Sequence, residues 1–115
     1  MSAESDFRAL LAGAVGVTGI VGTRIAQNAV PQGSAFPLIV FTASHNPSYG
    51  LDDTLLDDEV TFEVQCWGET SLIADSVADA VDTALGTSGT VTARTGGYDA
   101  DLGMDGTILT IQWWA

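Results

Sequence analysis

Residues 60–67, Val-Thr-Phe-Glu-Val-Gln-Cys-Trp, alternate without a break. Val60, Phe62, Val64 and Cys66 share one side, and Thr61, Glu63, Gln65 and Trp67 the other. A period of two in β-branched and aromatic residues predicts a strand with one buried face. Gly68 ends it, and Thr70 or Ser71 can cap a helix after it. Over 72–85 the apolar residues Ile73, Val77, Ala80, Val81 and Ala84 recur at helical spacing, with Asp75, Asp79 and Asp82 turned away. Gly86 sits where a left-handed C-terminal cap belongs. A strand running straight into an amphipathic helix is one packing unit, the helix covering the strand's apolar face. Burying Ile73, Val77, Val81 and Leu85 contributes about 1.5–3 kcal/mol each.

The rest reads as further sheet or as projections from it. A short helix runs to about Ala12, with Phe7, Leu10, Leu11 and Ala14 on one side. Gly13, Gly16, Gly19 and Gly22 break any long continuation, at roughly 1 kcal/mol each in a helix interior. Residues 22–25 lead into a short strand-like piece, and 31–37 form a turn-rich connector. Residues 38–42, 90–94 and 107–114 read as strands, with Leu109, Ile111 and Trp113 facing the core in the last. The predicted class is α+β: a mainly antiparallel four- to five-stranded sheet, a long helix on one face and a short N-terminal helix. A single domain over 1–115 is expected, with a long projecting loop at about 44–58. That loop carries Tyr49, Leu51, Leu55 and Leu56, a composition suited to docking on a neighbour.

Composition excludes several functions. The chain has 15 carboxylates against three arginines and no lysine, a net charge of −12. Gripping DNA phosphates needs a basic stripe, so a DNA reader is excluded, and an acidic membrane surface repels such a chain. No apolar run approaches the roughly 18 residues of a membrane span. The acidic N-terminus lacks the basic start of a secretory signal, so the chain is expected to be made and kept in a cytoplasm. Each arginine is expected to pair with carboxylates. Cys66, the single cysteine, reads as a small buried hydrophobe rather than a nucleophile.

No catalytic, cofactor or metal site emerges. Asp52, Asp53, Asp57, Asp58 and Glu59 crowd into eight residues, a density of oxygen ligands that suits calcium, but without calcium-loop spacing. Asp99, Asp101 and Asp105 form a weaker group. His45, the only histidine, reads as a surface turn residue with no second ligand or nucleophile near it. The glycines at every third residue from 13 to 22 have neither the preceding strand nor the lysine of a phosphate loop. Hence the chain is not expected to be an enzyme.

The order of features resembles the tail-completion, or tail-terminator, family of long-tailed bacteriophages, also described as head–tail joining proteins. The short helix is followed by Gly22-Thr23-Arg24-Ile25. Pro31-Gln32-Gly33 precedes Phe36-Pro37 and a strand. Val64-Gln65-Cys66-Trp67 then leads into the helix, and two strands close the chain on an aromatic pair. Cys66-Trp67 is the most distinctive of these. Ala26-Gln27 departs from the pattern, since the family often has an aromatic and a proline after Arg-Ile.

The resemblance implies a virion protein assembled in the host cytoplasm. It forms a homo-oligomeric ring, commonly a hexamer, that caps the tail-tube protein and joins it to the head connector or head-closure protein. DNA passes through the channel without specific binding. The alternatives are another neck or minor tail component of the same fold, and a calcium-dependent binding module. Candidate interface residues are Arg24, Tyr49, Leu51, Asp52, Asp53, Leu55, Leu56, Trp67 and Trp114. By alternation Trp67 and Trp114 point away from the core and are expected to be partly exposed in a lone subunit.

Overall fold

The computed structural model describes residues 3–22, 24–28, 35–49, 55–100 and 103–113, with the backbone path alone at 46–49 and 55–59. Three helices and five strands occur in the order α1 (Ala3–Gly13), α2 (Val15–Val21), β1 (Ile25–Gln27), β2 (Leu38–Tyr49), β3 (Leu55–Gly68), α3 (Ser71–Leu85), β4 (Gly89–Asp99) and β5 (Met104–Trp113). The strands form one mixed sheet in the order β1-β2-β3-β5-β4. β1 runs parallel to β2, and the other three pairings are antiparallel.

The central strand behaves as its alternation requires. Val60, Phe62, Val64 and Cys66 are buried, as are Leu109, Ile111 and Trp113 beside them on β5. All three helices pack on this one face, bringing Phe7, Leu11, Val17, Val21, Val77, Val81 and Leu85 into a single core with it. Phe7 of α1 stacks on Phe62 with ring centres 4.2 Å apart and meets Phe41 and Trp113 edge-on at 5.3 and 5.5 Å. Aromatic contacts of this kind add about 0.5–1.5 kcal/mol each beyond the area they bury.

α3 has the predicted cap. The Thr70 hydroxyl accepts from the Ile73 N–H at 3.2 Å. Gly86 closes the other end at φ 55° and ψ −118°, outside the left-handed helical well but still in a region that disfavours a side chain.

Three expectations are corrected. The segment 13–22 is not merely broken chain: Ala14 separates α1 from a second helix, α2, held by Val17 and Val21 in the core. Burial of that apolar pair outweighs the cost of Gly16 and Gly19. The projecting loop at 44–58 is largely strand: β2 and β3 stay paired from Leu38↔Trp67 out to Tyr49↔Leu55, with a register shift between Ser48 and Tyr49. His45 therefore lies in a strand, not a turn.

Candidate functional site

β5 reaches β3 no further than Trp113↔Val60, so residues 55–59 continue beyond it with β2 as their one strand neighbour among the described residues. Five positions at about 3.3 Å each make a two-stranded arm of roughly 16 Å. The molecule is accordingly elongated, 50 × 28 × 24 Å. The foot of the arm is tied to α1, where His45 Nε2 lies 2.6 Å from Glu4 Oε1. This contact is partly exposed, with the His45 side chain 41% accessible, so it fixes direction more than it stabilises.

On the arm, Tyr49 and Leu55 are register partners and Leu56 comes next on β3. Leu51, Asp52, Asp53 and Trp114 lie outside the described residues. Arg24 is half-buried between α2 and β2. Its Nε donates to the Pro37 carbonyl at 2.8 Å and one terminal nitrogen to the Ile20 carbonyl at 3.3 Å. Both acceptors are carbonyls rather than the expected carboxylates, and they give Arg24 work within the subunit. Arg8 lies over the Phe41 ring, 5.8 Å from its centre.

Trp67 is the clear correction. It points to the face opposite the helices, as alternation requires, yet only 7% of it is exposed. In register it stands beside Leu38 on β2 and Gly106 on β5. Its ring lies flat over Gly106, where even a Cβ would come within 2.4 Å of it. With Leu38 and Val40 it forms a second small core, flanked by Ala26, Phe36 and Met104. The indole N–H donates to Gln65 Oε1 at 3.3 Å.

A charged strap joins α3 to the far strands. Arg94 reaches Asp79 Oδ1 at 2.7 Å and Asp75 Oδ1 at 3.4 Å, and the buried Thr107 hydroxyl donates to Asp75 Oδ1 at 2.7 Å. The Thr107 bond, with Arg94 behind it, holds the Asp75 carboxyl below its ordinary range. Cys66 is fully buried and its thiol is pushed up to about 12 by burial, as its reading as a hydrophobe requires. No group of three His, Cys, Asp or Glu suited to a metal occurs among the described residues. The side chains of the 52–59 acidic stretch fall outside them. A groove of about 280 Å³ between α2 and α3 is lined by Ala14, Gly16, Asp79, Ala80, Thr83 and Ala84, which offers no converging set of catalytic groups. No described helix is long and apolar enough to cross a membrane.

The family described as tail completion protein gp17 matches residues 5–114. No curated protein sequence matches the chain. Among solved structures, a chain of the "Virion of native gene transfer agent (GTA) particle" superposes with a TM-score of 0.73 at 15% identity, over 93% of this chain and 89% of that one. At that identity the likeness shows a shared fold. The match of the family over nearly the whole length shows more: the chain belongs to the tail completion protein gp17 family and is a structural component of a phage-type virion.

Proposed function

We propose that this chain closes with copies of itself into a ring, hexameric in its resting form, at the neck of a phage or phage-like particle. The ring ends the tail tube, meets the head connector and leaves an open passage for DNA. The observation that carries the self-assembly is the arm: two strands extending beyond the sheet, with no third strand beside them among the described residues. A two-stranded hairpin is marginal alone in water. Its apolar Tyr49, Leu55 and Leu56 supply a reason for it to lie on a neighbour. The charge suits a conduit. A chain with 15 carboxylates and three arginines does not hold phosphates, and its repulsion fades within about 8 Å at physiological salt.

Native mass spectrometry of the purified chain tests this directly, with six copies expected. Deleting residues 51–56 should leave a folded subunit that stays monomeric. A deletion variant that assembles like the parent removes the arm from the interface.

A further inference from the structure

We propose that the outer edge of β4 is where a second copy of this chain adds, presenting its own β1 end of the sheet; this rests on the self-assembly proposed for the arm. β4 ends the sheet, so one side of its backbone faces no other strand among the described residues. It is 11 residues long, and every residue from 92 to 98 is exposed. Proteins protect such edges with lysine, proline or extreme shortness, because an open edge templates pairing. None of these occurs in β4, whose one irregularity is the register shift between Val91 and Ala93, ahead of the exposed run from 93 to 98. Its one cation, Arg94, is drawn onto Asp75 and Asp79 of α3 and does not guard the edge.

The charge map selects the occupant. Glu4 and Asp6 are balanced by Arg8 and Arg24, so the first 51 residues are neutral. The entire net charge of −12 falls on residues 52–115, where Arg94 stands against the remaining thirteen carboxylates. Between two copies of so acidic a chain, like-charge repulsion is least where carboxylates are sparse. β4 is one such place: it carries no carboxylate before Asp99, and the nearby Asp75 and Asp79 are paired with its Arg94. The neutral half is the other: its strands β1 and β2 form the opposite end of the sheet, while α1 and α2 lie across the helix face. A contact from one sheet end to the other is head-to-tail, the kind that closes into a ring when its rotation permits.

Hydrogen exchange of the full chain, dissociated and assembled, tests this. Exchange in residues 90–98 should slow by about tenfold or more on assembly, together with residues 24–28, because edge amides open to water become paired. Thr95→Pro should keep the parent's near-ultraviolet circular dichroism and lose about tenfold or more in association, as a lost central contact does. If that variant fails to fold, exchange in the parent decides. Assembly with unchanged exchange at 90–98 overturns the proposal and leaves the ring standing. Slowing at 90–98 without slowing at 24–28 overturns the head-to-tail pairing. Slowing that appears only when tail-tube protein is added assigns the edge to that partner and overturns the second copy. A chain that stays monomeric at every concentration and salt overturns both this inference and the ring.

Discussion

Gly106 and Trp67 form one unit made by two residues 39 positions apart in the chain. The indole occupies the space a side chain at 106 would take, so each residue type depends on the other. Gly106→Ala should displace the ring and destabilise the subunit by about 1–3 kcal/mol, the usual result of overpacking. Trp67→Ala should cost folding about 3–5 kcal/mol, as other buried aromatic deletions do. Denaturant unfolding read by fluorescence measures both, and a Trp67→Ala subunit as stable as its parent would return Trp67 to the interface. Alternation gave the side to which Trp67 points but not its burial, because its cover comes from Gly106 on a strand distant in sequence. The inward faces of β3 and β5 were legible for the opposite reason: period two needs no knowledge of partners.

At the scale of elements, the strap from α3 to β4 and β5 makes a pH prediction. Asp75 is held below the ordinary carboxylate value of 3.8, first by Thr107 and then by Arg94. A group with a lowered folded value stabilises above its unfolded value and loses that contribution as pH falls through the folded one. The difference in melting temperature between parent and Asp75→Asn should therefore be constant at neutral pH and shrink below about pH 4. An undiminished difference at pH 2 would show that Asp75 acts through packing rather than charge. Thr107 lies 32 residues from Asp75, and no local motif joins them. α2 was hidden in the same way, since its glycines argue against a helix until the core that buries Val17 and Val21 is known. The arm was visible as an unusually long connection, but its strand character depends on β2 and β3 staying in register beyond β5.

For the whole molecule, the uneven charge makes assembly a matter of ionic strength. Like-charged halves repel over about 30 Å at 10 mM salt and only a few ångströms near 1 M. Association should therefore tighten as sodium chloride rises, the reverse of a contact held by ion pairs. Light scattering across that range checks it, and an assembly that dissociates with salt would place cross-subunit ion pairs at the interface. Substituting Asp82 by Asn should give part of the same gain at low salt.

Cys66 has a practical consequence. With its thiol sealed in the core and pushed up to about 12, the folded subunit is silent to thiol reagents. Alkylation of the native chain then becomes a clock for global opening, because the sulfur reacts only in molecules that have lost the sheet. A cysteine substituted for Ser44, exposed near the foot of the arm, would be the single reactive handle on an otherwise natural sequence. Dyes placed there can follow neighbouring copies approaching one another without any change to the core.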